Sequence, residues 1–208
     1  MLVCHAFAFV SITLIQNYGP KNWKDPETLK TNNPRWVEAG MDQRVIDVMS
    51  GKGITHFTPV QAEAFDPILQ RRDVIGRSRT GTGKTLAFGI PSLHRIVDIT
   101  EKNGVRDPQS GRMRRGRPVS MIVLCPTREL ARQVTDELQS VASPLSLTVE
   151  VFHGGVSYGP QAAALRSGLD VLVGTPGRII DHMQRGNLDL SNCDIAVLDE
   201  ADEVSTRV

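Results

Sequence analysis

The feature that most constrains this chain is an alternation. Short apolar runs rich in β-branched residues recur at Val74-Ile75, Val119 to Cys125, Leu147 to Phe152, Asp170 to Val173 and Cys193 to Leu198. The stretches between them have helical periodicity. In Thr127 to Ala142, Leu130, Val134, Leu138 and Val141 fall on one stripe, and Lys84 to Asp98 places Leu86, Ile90, Leu93 and Val97 similarly, with a kink expected at Pro91. Gln161 to Arg166 and Pro176 to Gln184 read as shorter helices, and Trp36 to Met49 and Pro59 to Leu69 as two more before the first strand. Strands that alternate with helices predict an α/β fold, a parallel sheet with helices on both faces. In such sheets ligands bind beyond the carboxyl ends of the strands, so the residues after each strand are where chemistry is expected.

After Val74-Ile75 comes Ser78-Arg79-Thr80-Gly81-Thr82-Gly83-Lys84-Thr85. Its Gly-Lys-Thr ending, opening a helix, is the phosphate-binding P-loop pattern. Glycines let backbone N–H groups converge on phosphate oxygens, and the helix N-terminus adds a favourable dipole. Lys84 is expected to reach the β and γ phosphates and the Thr85 hydroxyl to hold Mg²⁺. The strict pattern has Gly where this chain has Ser78, and a Gly-rich turn that merely caps a helix is the structural alternative. After Cys193 to Leu198 comes Asp199-Glu200-Ala201-Asp202. Here Asp199 is expected to bind Mg²⁺, partly through water, and Glu200 to orient or deprotonate an attacking water.

With these residues in view, the chain resembles the N-terminal RecA-like domain of DEAD-box ATP-dependent RNA helicases. The resemblance rests on Gly53 to Gln61, Ser78 to Thr85, Pro126-Thr127-Arg128-Glu129-Leu130-Ala131, Gly154-Gly155, Thr175-Pro176-Gly177-Arg178 and the name-giving Asp199-Glu200-Ala201-Asp202, in the family's order and covering about Trp36 to the end. It implies ATP and Mg²⁺ as cofactors. Lys84, Asp199, Glu200 and Asp202 form the catalytic set, and Trp36, Gln61, Ser78, Thr80, Gly81, Thr82, Gly83, Lys84 and Thr85 bind the nucleotide. Gln61 is the expected adenine reader, because an amide offers one donor and one acceptor to the base edge. Ile54 stands where an adenine-stacking Phe is usual and Phe57 where Pro is common, so adenine preference with a looser grip is expected. Pro126, Thr127, Arg128, Gly154, Gly155, Thr175, Pro176, Gly177 and Arg178 are implied to contact RNA through sugars and phosphates, hence without sequence preference. Thr127 is also a candidate helix N-cap. Arg79 to Thr82 resembles nucleolar and organellar members more than translation-factor members, which leaves nucleus, nucleolus, mitochondrion and plastid open within an intracellular setting.

Composition adds exclusions. Lys and Arg number 24 against 23 Asp and Glu, so net charge does not advertise a polyanion partner. One stretch departs from this balance. Between Thr100 and Pro118, Lys102, Arg106, Arg112, Arg114, Arg115 and Arg117 face only Glu101 and Asp107. It reads either as an RNA-attracting arm or as a solvated insertion. Cys4, Cys125 and Cys193 lack metal-ligand spacing and read as buried reduced thiols. His56, His94, His153 and His182 are given no catalytic weight, with His153 expected to pack or cap beside the Gly pair.

Residues 1–35 read as an apolar leader followed by a polar, Pro/Asn-rich linker, and 36–208 as a partial ATP-binding domain. The first 16 residues hold 12 apolar side chains and no formal charge. They are short for a membrane span and lack the basic flank of a secretory signal, so no membrane partner is expected. The resemblance further implies a Ser-Ala-Thr strand and a second RecA-like domain with arginine fingers, neither present in this chain. A fold incomplete at the C-terminus is expected, with a slot of about 10 Å between the Val74-Ile75 and Ile195-Val197 strands. The chain alone is then expected to bind nucleotide weakly and hardly to turn it over. A noncatalytic RNA- or nucleotide-binding module is the alternative.

Overall fold

The structure, a computed structural model, describes residues 10–15, 41–54, 56–77, 81–102, 104 and 115–204. In chain order these form β1 (Val10–Ile15), α1 (Gln43–Gly51), α2 (Pro59–Leu69), β2 (Val74–Arg77), α3 (Lys84–Lys102), β3 (Met121–Leu124), α4 (Arg128–Ala142), β4 (Val149–Phe152), α5 (Tyr158–Ser167), β5 (Val171–Gly174), α6 (Pro176–Gln184), β6 (Ile195–Leu198) and the single turn α7 (Ala201–Val204). The strands make one sheet in the order β2-β1-β6-β3-β5-β4, and every pairing is parallel. Local signals mark the helix starts. Asp42 accepts from the Arg44 N–H ahead of α1, and Thr127 Oγ1 accepts from the Leu130 N–H ahead of α4. Pro59 opens α2, and Pro176 opens α6, each where a missing N–H costs nothing.

Period-2 alternation divides the strand side chains between two cores. Met121, Val123, Val171, Val173, Ile195 and Val197 face one side, where α1 to α4 deliver Met49, Phe65, Phe88, Leu93, Val134 and Leu138. Ile122, Leu172 and Ala196 face the other, with Phe152, Leu169 and Ile179. This is a parallel sheet covered on both faces, as the alternation of runs predicts. The second cover does not extend to β2 among the described residues: Ile75 is 72% exposed while Val74 packs on the first core.

The slot expected between β2 and β6 is present in the strand order, and it is occupied. Val10–Ile15, from the segment read as a leader, pairs with β2 on one side and β6 on the other. Length and charge argue against a membrane or signal role for this segment, but they do not test for a strand. The run Val-Ser-Ile-Thr-Leu-Ile has the β-branched content of one. Trp36, Ser78 and Thr80 lie outside the described residues, as do Cys4 and most of the basic stretch.

Candidate nucleotide and RNA sites

The segments that follow strands emerge on the carboxyl edge of the sheet, and the strand order sorts them. The loop entering α3 and the Asp-Glu turn follow β2 and β6, two positions apart. The turns carrying Thr127, Gly154 and Thr175 follow β3, β4 and β5 on the other half.

At the first half, the Gln61 segment braces the glycine-rich loop. Gln61 is N3 of α2 and only 2% exposed; its Oε1 accepts from the Thr58 N–H at 2.9 Å and its Nε2 donates to the Gly83 carbonyl at 3.1 Å. Gly83 has φ of 79°, and a Cβ there would stand 2.5 Å from Gln61 Nε2, so only glycine permits this contact. The amide expected to read adenine is thus already committed at both ends, with one N–H and one lone pair left over. The positions around it are likewise turned inward: Ile54 packs against the core, and the Phe57 ring sits 5.0 Å from that of Phe65. Gly81 is exposed, whereas Thr82 and Thr85 are half-buried at the mouth of α3.

Across β1, Asp199 ends β6, its N–H donating to the Leu124 carbonyl at 3.0 Å. Glu200 then takes φ of 52°, a left-handed turn rare for a non-glycine residue, and accepts from Glu203 and Val204 to start α7. Asp202 lies exposed on that turn. Asp199 is buried, and burial raises its carboxyl to about pKa 6, with the Lys84 charge pulling it down and Glu200 pushing it up. Among the described residues, neither Lys84 Nζ nor Asp199 Oδ1 has a hydrogen-bond partner, although both atoms are buried. Such groups are costly, typically about 1–3 kcal/mol each, so a site that keeps an ammonium and a carboxylate in this state fits an anion and a cation arriving together. No cluster of three His, Cys, Asp or Glu occurs among the described residues, so there is no all-protein metal cage. One carboxylate beside a phosphate-binding loop suits Mg²⁺, which takes few protein ligands and keeps much of its water. The adjacent Cys125 thiol is pushed far up by burial and by Asp199, and Cys193 rises to about 11, so both are neutral packing groups.

At the second half, an open groove of about 770 Å³ is lined by Pro126, Thr127, Arg128, Gly154, Thr175, Pro176, Gly177, Arg178 and Asp181. Of the residues the resemblance assigned to RNA, only Gly155 is absent from that lining, and Asp181 was not anticipated. The Gly pair makes room for a neighbouring side chain. A Cβ on Gly155 would lie 2.5 Å from Arg128 Nη1, and one on Gly154 3.3 Å from Nη2. The space left by the missing side chains is taken by the Arg128 guanidinium. Arg178 is anchored differently. It donates to Gln161 Oε1 at 2.7 Å and to the Val156 carbonyl at 3.3 and 3.4 Å. Gln161 Oε1 also receives His182 Nε2 at 3.1 Å, and the His182 ring stacks on Tyr158 with centroids 4.1 Å apart. Burial, reinforced by the Arg178 charge, holds His182 below its ordinary pKa. The buttress of Gln161, His182 and Tyr158 was missed in the sequence: Tyr158 and Gln161 lie one turn apart on α5, but His182 comes from α6, and no periodic signal joins the two helices. His153 packs as expected, its Nδ1 2.9 Å from the Gly154 carbonyl and its Nε2 accepting from Arg132, which fixes the Nδ1–H tautomer.

Two charges of the basic stretch are also reassigned. Arg117 is buried, making a bidentate pair with Asp170 at 2.6 and 2.7 Å and a further bond to Thr148. Lys102 pairs with Asp98 one turn earlier in α3. Arg115 is exposed.

A Gly-Lys-Thr helix start whose glycine-rich loop is braced by Gln61, and an Asp-Glu strand end, set on one edge of a parallel sheet, define a P-loop nucleotide-binding domain of RecA-like fold. More narrowly, the chain belongs to the DEAD/DEAH box helicase family, whose profile matches residues 58–208. It is 44% identical over 189 residues to DEAD-box ATP-dependent RNA helicase 53 of Oryza sativa subsp. japonica, covering 89% of this chain and 29% of that protein. It is 44% identical to the mitochondrial DEAD-box ATP-dependent RNA helicase 9 of Arabidopsis thaliana, covering 81% and 26%, and 39% identical to nucleolar RNA helicase 2 of Rattus norvegicus, covering 79% and 19%. Among solved structures it is similar to the RNA helicase Prp28 from Chaetomium thermophilum bound to ADP, with TM-score 0.70 and 35% identity over 86% of this chain and 41% of that one. A DEAD box protein from Methanococcus jannaschii gives TM-score 0.69 and 32% identity over 83% and 43%. The chain therefore spans less than a third of the curated relatives it matches. No helix among the described residues is long and apolar enough to cross a membrane.

Proposed function

We propose that this chain is the ATP- and RNA-binding first domain of an ATP-dependent RNA helicase. The observation that carries the reading is the pair of buried groups, Lys84 Nζ and Asp199 Oδ1, that have no hydrogen-bond partner among the described residues; Lys84 opens the helix after β2 and Asp199 follows β6, two places away in the sheet. In this reading Lys84, Gly81, Thr82, Gly83 and Thr85 hold the triphosphate, with Ser78 and Thr80 from the same loop. Thr85 and Asp199 hold Mg²⁺, partly through water, and Glu200 orients the attacking water. Bound Mg²⁺ would supply charge neutralisation of the phosphate oxygens. Gln61 acts first as a brace on Gly83, and its remaining donor and acceptor face adenine after a small opening of that contact. Trp36 joins the nucleotide-binding set through the resemblance alone.

RNA is placed in the groove on the other half of the edge, where Arg128, Arg178 and the helix starts at Thr127 and Thr175 offer charge and backbone donors. Such contacts carry no base information, so binding is sequence-independent. A second RecA-like domain completes both sites and supplies arginine fingers, whose contribution is on the order of 10³ to 10⁵ in rate. The 208-residue chain alone is then a nucleotide binder with very low turnover, and an intracellular protein whose compartment follows one of the relatives' types.

The test is titration of the chain with a fluorescent ATP analogue, with and without Mg²⁺, followed by ATPase assay with and without RNA. Mg²⁺-dependent binding that disappears in Lys84→Ala is expected. Binding that is indifferent to both Mg²⁺ and Lys84 would remove the nucleotide reading. RNA retention with no nucleotide binding would favour the noncatalytic module.

A further inference from the structure

β2 has one partner strand among the described residues, and that partner is β1. Ile12 and Thr13 of β1 each stand opposite a residue on both neighbours: Ile12 faces Val74 and Val197, and Thr13 faces Ile75 and Leu198. Through these two residues the N-terminal segment fixes how far β2 stands from β6 and at what level. The spacing is two strand steps, about 10 Å. The level follows from the register: Ile75, Thr13 and Leu198 share one row, so the residues next along the two outer strands, Gly76 and Asp199, leave that row together. The loop to Lys84 therefore leaves the sheet at the height where the carboxylates do.

We infer that Val10–Ile15 is a positioning strand for the nucleotide site: inserted between β2 and β6, it sets the separation and register of the phosphate-binding loop against Asp199 and Glu200. Its functional half rests on the nucleotide reading above, whereas its structural half does not. The segment works through backbone pairing. A proline in it removes an N–H that bonds one neighbour, and its ring and fixed φ disturb the strand that both neighbours pair with, while the distant half of the sheet keeps its own β3-β5-β4 pairings.

The decisive experiment is hydrogen exchange on the whole chain together with nucleotide titration, comparing the unmodified protein, Thr13→Pro and Lys84→Ala. In the unmodified protein, amides of residues 11–14 exchange at least 100-fold slower than in an unstructured peptide. Thr13→Pro raises exchange in 10–15, 74–77 and 195–198 together, leaves 149–152 and 171–174 protected, and weakens binding of the ATP analogue at least tenfold. Lys84→Ala loses nucleotide and keeps 10–15 protected. Fast exchange of 10–15 in the unmodified protein overturns the inference even if Lys84-dependent binding persists. So does a Thr13→Pro protein in which 74–77 and 195–198 stay protected. If the coupled loss of protection is seen and the unmodified protein binds no nucleotide, the nucleotide reading fails and the spacing role stands. Should Thr13→Pro unfold the whole chain, Thr13→Gly reads the same coupling at smaller amplitude.

Discussion

The two halves of the carboxyl edge solve opposite problems. Around β2 and β6, charged groups are buried without partners among the described residues, as Lys84 Nζ and Asp199 Oδ1 are. Around β3, β5 and β4, the charged groups are exposed or already held: Arg178 by Gln161 and Val156, Asp181 by Arg185. One half is left incomplete until a ligand arrives, and the other is braced beforehand. A site of the first kind gains most from its ligand and costs the empty fold most. A site of the second kind changes little on binding and reads only a uniform backbone.

The largest expected effect comes from taking Lys84 away. Lys84→Ala removes the only described ammonium placed against Asp199, and charged hydrogen bonds of this kind are worth about 1.5–3 kcal/mol each. Affinity for Mg²⁺-ATP should fall by about 10- to 100-fold or more per bond lost, while RNA affinity of the chain stays within about twofold. A nucleotide titration beside an RNA filter-binding curve measures both, and a parallel fall in both would break the division between the halves.

Asp199→Asn sharpens the claim of incompleteness, because it should improve the empty fold. The Asp199 carboxyl is raised from 3.8 to about 6 by burial, so the folded chain favours the protonated form. A group with a raised folded pKa contributes its stability fully below the unfolded value and loses it as pH climbs through the folded one. At pH 7–8 the ionised carboxylate therefore weighs on the empty protein by about 1–3 kcal/mol, which a neutral amide avoids. Thermal melts should show Asp199→Asn more stable than the unmodified chain at pH 8, with the gain gone near pH 4. The same variant should no longer respond to Mg²⁺-nucleotide. A variant less stable at pH 8 would mean that Lys84 needs the carboxylate more than burial penalises it.

Gln161→Ala attacks the braced half. It leaves the His182 ring nitrogen without its acceptor and frees Arg178 from its shorter contact. A loss of about 1–3 kcal/mol is expected from the unsatisfied buried group. The pH dependence has a sign as well. His182 sits below its ordinary pKa of 6.5, so the neutral ring is the one the fold accepts, and acidification through that value costs stability. Chemical denaturation at pH 7.5 and 5.5 should show the unmodified chain losing more than a His182→Gln variant does.

How much of this was legible beforehand follows from which signals are local. Helices α2 and α6, the Thr127 cap and the strand-end motifs are each written in contiguous residues, and they stand where periodicity and capping chemistry put them. The Gln161–Arg178 and Arg117–Asp170 contacts join residues 17 and 53 positions apart, and no periodicity announces them. That is why Arg117 was counted with a loop's charge although it is an internal strut. β1 was overlooked for a different reason. Its residues fit a strand, but the stretch was weighed only as a membrane or targeting segment, and a strand inserted between two much later ones has no helix beside it to complete the alternating pattern.

The smallest effect tests the comparison within the braced half itself. Among the described residues Arg128 makes no hydrogen bond or ion pair; it lies exposed over Gly154 and Gly155, whereas Arg178 is tied down on three acceptor contacts to two residues. If both serve RNA phosphates, they should contribute alike to its binding but unlike to the fold. Arg128→Ala is expected to leave stability within about 0.5 kcal/mol, as surface substitutions do, and Arg178→Ala to cost about 1 kcal/mol or more through the freed Gln161. Each should lower the slope of log affinity against log salt by about 0.7, the value of one phosphate contact to a single strand. Salt titrations of RNA binding beside urea melts separate the two quantities. A salt slope unchanged in Arg128→Ala would mean that this guanidinium only fills the space above the Gly pair, and Arg178 would then carry the groove's charge alone.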